Sequence, residues 1–360
     1  MKNWSTVNVI LVLGIIFLVI VVLSLIAYSL ISPPSLSPSE MEECNTIQEK
    51  GDIDIVFFSS KDEAEEYSET LLSMEPFRKY SDKFSMYYID TYKPECDLYE
   101  GKALLCNSEE IIRKASSCPN DYIVVVKDKP KNIRSSSYNN IMSINSQLPR
   151  TVFPHEFAHS FANLADEYTP ANLPRNSENC KKDCEEFENC FEGCSKSNYY
   201  RSIENGIMRS LSSNEYGRYN SKLIKDKVNS KKSLSTITGF SIKENCENKR
   251  YYLVTGRYDE GNLKIINKSR EKGCVGEKDE GVFEYNLITE RGDYKGKFEP
   301  SIIFTDMEEN GKMSGGSLNY SGLFYLKVPI IEDSKKLEIN KGNDTLSEIN
   351  LEINNMPCKV

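Results

Sequence analysis

Two histidines four residues apart, with a glutamate beside the first, are the residues of this sequence best suited to chemistry. They form a His-Glu-x-x-His pattern at His155, Glu156 and His159, and they are the only two histidines among 360 residues. Residues at this spacing share one face of a helix, with Cβ atoms about 5–6 Å apart, and two Zn–N bonds of about 2.0–2.1 Å span that gap. The pattern therefore predicts a zinc site in which Glu156 acts as the general base that activates a water molecule.

The sequence around this motif resembles a family of zinc peptidases. Residues 155–168, His-Glu-Phe-Ala-His-Ser-Phe-Ala-Asn-Leu-Ala-Asp-Glu-Tyr, are similar to the signature of the IgA-peptidase-type zinc metallopeptidases, which are metzincin-like and carry a paired-glycine turn before Leu-x-Asp-Glu-Tyr. The similarity runs from near Asp52 to near Ile224 and includes the stretches 52–58, 76–84 and 199–209. Two features differ: Ala162 and Asn163 replace the two glycines, and no glycine-rich stretch lies around residues 135–143.

The third zinc ligand is expected shortly after the helix that carries the histidines. In metzincin peptidases a glycine ends that helix, and the next ligand follows three residues later. Asn163 is the non-glycine residue type best suited to the left-handed conformation of such a turn, which makes Asp166 the expected third ligand. Glu167 is the alternative. The resemblance also implies that Met208 lies in a tight turn beneath the metal, where it would have a structural role.

Together, the motif and the resemblance predict a hydrolase, namely a zinc metalloprotease of the endopeptidase type. Zn²⁺ held by His155, His159 and Asp166 would polarise the scissile carbonyl, and Glu156 would pass a proton from water to the departing amine. The expected partner is a protein or peptide substrate, whereas a net charge of -9 without a basic stripe argues against nucleic acid. Nothing in the sequence indicates the oligomeric state.

A protein of a different class is the alternative: a catalytically inactive peptidase fold that serves in binding or adhesion. The replacement of the paired glycines by Ala162 and Asn163 favours this alternative, whereas the intact His155, Glu156 and His159 favour the enzyme. The two alternatives differ in whether Glu156 performs a chemical step.

The first fifty residues indicate a membrane anchor followed by a spacer. Residues 7–31 form an apolar run without a charged residue, which as a helix would measure about 37 Å against roughly 30 Å of membrane hydrocarbon. The run exceeds the apolar core of a cleaved signal peptide, so it predicts an uncleaved transmembrane signal-anchor helix. Lys2 in the short segment 1–6 predicts a cytoplasmic N-terminus, and residues 32–50, rich in Pro and Ser, are expected to be an extended linker. These features predict a single-pass protein of the cell membrane with an extracellular catalytic domain.

The remaining sequence divides into two parts with different patterns. Residues 51–237 alternate short β-rich runs with helix-prone stretches and contain the motif, which predicts a metzincin-like α/β zinc peptidase domain. Residues 238–360 contain about seven short β-type runs separated by Gly, Asn and Asp, which predict a β-sandwich domain. The predicted fold class is therefore α+β, with an N-terminal transmembrane helix ahead of these two domains.

Four cysteines within residues 180–194 are spaced so that each pair would lie on one face of a helical turn; they are Cys180, Cys184, Cys190 and Cys194. This spacing predicts a helical hairpin that is clipped by disulfides from Cys180 to Cys194 and from Cys184 to Cys190. A second zinc site is the competing interpretation, but zinc modules favour shorter spacings, and an oxidising compartment favours disulfides.

The other seven cysteines are spread over the chain. Cys96 is expected to pair locally, either with Cys106 or with Cys118. Because the total of eleven is odd, at least one cysteine is expected to be unpaired or bonded to another chain.

Overall fold

The computed structural model of the protein describes residues 41–231, 245–276 and 280–351, together with Ile16, Leu18 and Val19. In this part of the chain, nineteen strands accompany four α-helices and two 3₁₀ helices, so the structure is rich in sheet. The α-helices are α1 (Lys61–Ser73), α2 (Glu109–Ala115), α3 (Val152–Ala162) and α4 (Gly217–Ser230), and the 3₁₀ helices are Phe77–Lys83 and Cys246–Asn248. The strands are β1 (Asn45–Gln48), β2 (Ile53–Phe58), β3 (Phe84–Ile89), β4 (Asp97–Tyr99), β5 (Ala103–Leu105), β6 (Tyr122–Lys127), β7 (Ser135–Tyr138), β8 (Ile141–Asn145), β9 (Phe191–Cys194), β10 (Lys196–Arg201), β11 (Arg250–Asp259), β12 (Asn262–Lys272), β13 (Phe283–Thr289), β14 (Tyr294–Phe298), β15 (Ile302–Glu309), β16 (Lys312–Asn319), β17 (Gly322–Pro329), β18 (Ser334–Lys341) and β19 (Asp344–Asn350).

Eight strands form the largest sheet, in the order β1-β3-β2-β6-β8-β7-β15-β16. Its centre is parallel, since β2 pairs in parallel with β3 and β6, and β6 pairs in parallel with β8. The strands β2 and β6 are largely apolar and buried on both faces, as is usual for parallel sheets that helices cover. Beyond β8, the strands β7, β15 and β16 are each antiparallel to the preceding neighbour.

Helix α3 packs on this sheet and buries one apolar face in the core. Phe153, Phe157 and Phe161 recur at intervals of four and are fully buried, and the rings of Phe157 and Phe161 stack with centroids 5.1 Å apart. Phe77 packs edge-on against Phe157 and Phe161, and also against Tyr216. This aromatic face fixes the helix, so the side chains on its other face have defined positions.

Two smaller sheets enclose a second core in the C-terminal part of the chain. One has the strand order β12-β11-β17, the other has the order β14-β13-β18-β19, and side chains from both form one buried apolar cluster that includes Val254, Tyr285, Phe324 and Leu337. The hairpin of β15 and β16 lies between β14 and β17 in sequence but belongs to the large sheet, where β15 pairs with β7. The described residues from Met41 onward form one compact unit.

The predicted fold class is wrong. Strands dominate the described residues, and the arrangement is not an α/β peptidase domain behind a transmembrane helix. Segments such as Ser135–Tyr138 and Lys196–Arg201 have little apolar alternation, and they become strands because neighbouring strands supply their hydrogen-bond partners. The strands β15 and β16, assigned by sequence to the C-terminal sandwich, belong to the large sheet instead. The predicted boundary between residues 237 and 238 lies outside the described residues.

None of the described helices combines the length and the hydropathy that a membrane span requires. The predicted transmembrane anchor over 7–31 is therefore not supported by the described helices, and neither are the predictions of a single-pass protein of the cell membrane and of an extracellular catalytic domain that rest on it. Those predictions rest on the length and hydropathy of an apolar run alone. Most of residues 7–31, all of residues 1–6 and the first part of the predicted 32–50 linker lie outside the described residues.

Five disulfide bonds pair ten of the eleven cysteines, and the eleventh, Cys358, lies outside the described residues. Of the two local partners expected for Cys96, the structure has Cys106. The other two bonds outside the cysteine-rich segment join Cys44 to Cys118 and Cys246 to Cys274.

In the cysteine-rich segment, the predicted disulfides are confirmed but the predicted helical hairpin is wrong. The bonds are Cys180–Cys194 and Cys184–Cys190, so these cysteines do not form the alternative zinc site. The segment consists of turns and the hairpin of β9 and β10. A spacing of four residues suits a helix, but Gly193 and Ser195 have positive φ values of 80° and 57°, which a right-handed helix excludes.

We expect the Cys44–Cys118 bond to stabilise the fold more than the Cys184–Cys190 bond does. The first has a sequence separation of 74 and the second of 6, and the longer loop restricts the unfolded chain more, by about 4 against about 2 kcal/mol in the chain-entropy model. Replacing Cys44 and Cys118 by Ser should therefore lower the free energy of unfolding by about 2 kcal/mol more than replacing Cys184 and Cys190. Urea denaturation followed by circular dichroism measures both losses, and equal losses would contradict the expectation.

Candidate metal centre

Helix α3 presents its two histidine rings to a common point. The Nε2 atoms of His155 and His159 lie 3.1 Å apart, and both side chains are buried. The Nδ1 atom of each ring lies within hydrogen-bond distance of a backbone carbonyl, that of Ile207 (2.9 Å) for His155 and that of Leu164 (2.6 Å) for His159. Because a carbonyl only accepts, each neutral ring carries its proton on Nδ1. The two Nε2 atoms that face each other are therefore in the form that binds a metal.

The chain turns directly after α3 and brings a carboxylate back to the histidines. Asn163 ends the helix in the left-handed conformation, with φ 49° and ψ 36°, which confirms the predicted turn. Three residues later, Asp166 Oδ1 lies 3.4 Å from Nε2 of His155 and 3.4 Å from Nε2 of His159. The structure therefore brings together the three residues that the sequence analysis names as zinc ligands.

A second carboxylate, which the sequence analysis missed, completes the group. Asp306 on β15 places Oδ2 3.5 Å from Nε2 of His155 and 3.3 Å from Nε2 of His159. Its other oxygen, Oδ1, accepts a hydrogen bond from the hydroxyl of Tyr168. The sequence offers one local signal for Asp306, which follows Phe304 by two residues in a β-type run. Residues two apart on a strand face the same side, so Asp306 is expected on the face that carries Phe304.

Five of the six distances among the four ligand atoms have the spacing of a tetrahedral metal site. The distances given above range from 3.1 to 3.5 Å, and all four atoms lie within 4.8 Å of one another. A tetrahedral zinc ion with bonds of about 2.0–2.1 Å requires ligands about 3.3–3.4 Å apart. Both carboxylate oxygens of Asp166 and Oδ2 of Asp306 are buried without a hydrogen-bond partner among the described residues, and a bound cation would satisfy them. The residues present therefore fit a Zn²⁺ ion.

The charge of the group also fits a divalent cation. With neutral histidines, Asp166 and Asp306 place two negative charges in a fully buried site, and unbalanced buried charge is strongly unfavourable. Burial lowers the pKa of His159, but Asp166 and Asp306 outweigh burial and raise this pKa to about 10. The pKa of His155 is raised well above its usual range for the same reasons. Burial raises the pKa of Asp306, but the two histidines outweigh it and hold that pKa far below its usual range. The group therefore attracts positive charge.

Glu156 lies beside the first histidine on α3 and is fully buried. Neither of its carboxylate oxygens has a hydrogen-bond partner among the described residues. Burial raises the pKa of Glu156 well above its usual range, and the charge of Asp306 raises it further. The side chain is not one of the four ligands. The structure thus keeps an acid–base residue next to the metal ligands without using it as a ligand.

The two remaining predicted site residues lie beside the group of ligands and not in it. Glu167, the alternative third ligand, accepts a hydrogen bond from Asn220 (2.8 Å), and burial raises its pKa to about 7. Met208 is buried in the main core, and its carbonyl accepts a hydrogen bond from the N–H of Glu167 (2.8 Å). The neighbouring carbonyl of Ile207 orients His155, so the turn around Met208 positions one histidine through its backbone.

A cavity of about 530 Å³ reaches His159, one of the four candidate ligands. His159 and Phe304 line it on one side, where the Phe304 ring stacks on the imidazole with centroids 4.1 Å apart. Elsewhere its wall mixes apolar residues such as Leu223 and Ile302 with polar or charged ones such as Asn163, Arg175 and Glu178. The cavity therefore provides space for part of a ligand next to the imidazole of His159.

Comparison with models of known protein families gives no match for this sequence, and comparison with curated proteins gives none either. The resemblance to the IgA-peptidase-type peptidases therefore rests on the motif residues themselves. The function has to be argued from the chemistry and geometry of the site.

Substitution of Asp166 by Asn should weaken zinc binding far more than substitution of Glu167 by Gln. Asp166 Oδ1 faces both imidazoles, whereas Glu167 is held by Asn220 outside the group. Loss of a residue that only orients a ligand costs about 10–100-fold in metal affinity, so we expect a loss above about 100-fold for Asp166→Asn and below about tenfold for Glu167→Gln. Competition with a coloured zinc chelator measures both affinities, and the reverse order would show that Glu167 is the ligand.

Proposed function

We propose that this protein is a zinc-dependent endopeptidase, which hydrolyses peptide bonds in a protein or peptide substrate. The observation that supports the proposal is the convergence of His155, His159 and Asp166 on one point, with the unpartnered carboxylate of Glu156 on the same helix. When bound, Zn²⁺ supplies Lewis acidity, which lowers the pKa of a water molecule to about 7 and polarises a carbonyl group. Membership of the IgA-peptidase-type family is part of this proposal, and the motif residues support it.

Glu156 carries the proton in the proposed reaction. Its carboxylate accepts a proton from the attacking water as the oxygen bonds to the carbonyl carbon, and returns that proton to the amine nitrogen as the C–N bond breaks. Both oxygens of Glu156 are available for this, since neither has another hydrogen-bond partner in the described chain. A cation close to Glu156 opposes the effect of burial on its pKa and so favours the basic form. His155 and His159 stay oriented because backbone carbonyls hold their Nδ1 atoms.

Tyr168 provides a hydrogen-bond donor beside the candidate metal ligands. Its hydroxyl donates to Oδ1 of Asp306, whereas the hydroxyl of Tyr216 donates to the backbone carbonyl of Pro154 (2.7 Å). A donor aimed at the metal ligands is suited to stabilise the negative charge that develops on a carbonyl oxygen during hydrolysis. We therefore assign this role to Tyr168 within the proposed mechanism.

A second candidate function has one observation in its favour. Four protein ligand atoms surround the site, as in structural zinc centres, whereas catalytic centres keep one position for water or substrate. The protein would then be catalytically inactive and serve in binding or adhesion, with zinc stabilising its fold. In that case Glu156 would perform no chemistry.

Replacing Glu156 by Gln in the full-length protein tests the proposed enzyme. Because Glu156 is not among the four ligands, the variant should keep its zinc content while cleavage of an unfolded protein falls by a factor of about 10²–10⁴. Elemental analysis measures the zinc, and mass spectrometry after a long incubation counts new peptide termini, so that slow turnover is detected. A sample treated with a chelator serves as the control for metal dependence. Equal cleavage by the two proteins would contradict the proposal.

A further inference from the structure

Strand β15 covers the edge of the large sheet next to the metal ligands. It pairs antiparallel with β7, with Ile303–Asp306 opposite Ser135–Tyr138. Without β15 and β16, β7 would be an edge strand with unpaired backbone groups, and such edges bind extended peptides by adding a strand. Strand β15 therefore occupies the place that an extended peptide would take beside α3.

Alternate side chains of β15 fill the approach to the histidines. Phe304 stacks on the imidazole of His159, with the ring planes inclined by 14°. Two residues further, Asp306 is the fourth ligand of the group. After another two residues, the carboxylate of Glu308 accepts a hydrogen bond from the Ser210 hydroxyl (3.1 Å). One face of a single strand therefore makes all three contacts.

We propose that Asp306 is the fourth ligand of the metal and that the hairpin β15–β16 keeps the site closed until it is displaced. This inference rests on the proposed peptidase function, because a catalytic zinc site needs one coordination position that the protein does not hold. With Asp306 in that position, a tetrahedral site has no place for water or for a substrate carbonyl. The hairpin is thus an internal inhibitor that pairs with β7 as a bound peptide would.

The pairing pattern allows the hairpin to separate from the sheet as one unit. The strands β15 and β16 pair with each other along Ile302–Glu309 and Lys312–Asn319, whereas pairing with β7 covers only Ile303–Asp306. Asn310 and Gly311, with positive φ values of 53° and 74°, close the hairpin in a tight turn. Because β16 is the last strand of the sheet, the β7–β15 pairing is the only strand pairing that release has to break. Release also breaks the hydrogen bonds that join Asn172 to Ser317, Arg134 to Ser314 and Ser210 to Glu308.

Displacement of the hairpin would expose the edge of β7. It would also remove Phe304 from the ring of His159 and Asp306 from its coordination position. The hydroxyl of Tyr168 loses its acceptor on Asp306 and becomes available to a carbonyl oxygen. If the closed arrangement holds about 99% of the molecules, the apparent affinity for a peptide is reduced about 100-fold relative to the open site. Removing the fourth ligand should recover part or all of that factor.

Substitution of Asp306 by Ala in the full-length protein tests the inference, with Glu309→Ala as the matched control. Glu309 is an exposed carboxylate on the same strand, and its spacing from Asp306 places it on the opposite face. Asp306→Asn is measured in parallel because it keeps the shape of the side chain and an acceptor for Tyr168, and so gives a result if the alanine variant does not fold. Circular dichroism checks the fold of each variant.

Two of the measurements do not depend on catalysis. The visible spectrum of the Co²⁺-substituted protein reports the ligand set, and it should change in Asp306→Ala but not in Glu309→Ala. Zinc should be released to 1,10-phenanthroline at least about tenfold faster from Asp306→Ala than from the wild-type protein. The reason is that loss of a residue around a bound metal lowers the affinity for that metal by about 10–100-fold. Cleavage of an unfolded protein should rise by up to about 100-fold, and the double variant Asp306→Ala/Glu156→Gln should not show this rise.

The results distinguish failure of this inference from failure of the proposed function. A changed spectrum, faster zinc release and increased cleavage support both. A changed spectrum and faster zinc release without any cleavage support Asp306 as the fourth ligand and contradict the peptidase function. An unchanged spectrum and unchanged zinc release in both Asp306 variants overturn the inference, whatever cleavage the wild-type protein shows.

Discussion

The rest of the structure depends on one buried cluster of two imidazoles and two carboxylates. Their ligand atoms lie within 4.8 Å of one another, and all four side chains are closed to solvent. Without a positive charge among them, the two carboxylates would repel each other in a medium that screens poorly. Protonated imidazoles or a bound cation would supply that charge. In the proposed zinc site, folding and metal binding would therefore be coupled.

The four ligands have fixed positions because different parts of the chain hold them. The phenylalanines of α3 anchor the helix on one side, and the carbonyls of Ile207 and Leu164 orient the two rings on the other. The left-handed turn at Asn163 returns the chain so that Asp166 follows the helix directly. Asp306 depends on sheet pairing instead, since β7 holds β15 in register. The cluster therefore requires one helix, one turn and one strand, because each of them supplies only part of the ligand set.

Local patterns predict those parts of the site that depend on local geometry. The strand Ile53–Phe58, the helix Lys61–Ser73 and the common face of the two histidines all follow from the period of a single element. Asp306 could not be predicted in this way, because its contact with the histidines depends on the register between β15 and β7. A shift of one residue would turn its side chain to the other face. The partner strand, Ser135–Tyr138, carries three serines and gives no apolar alternation that would reveal the pairing.

The sequence separation of Tyr168 and Asp306, 138 residues, has a consequence for biosynthesis. The ribosome delivers the histidines and β7 well before β15, and at about 5–20 residues per second the synthesis of these residues takes about seven to twenty-eight seconds. During that time the nascent chain carries an open sheet edge, which can pair with another nascent chain. Slow translation between these two positions would lengthen the exposure of that edge.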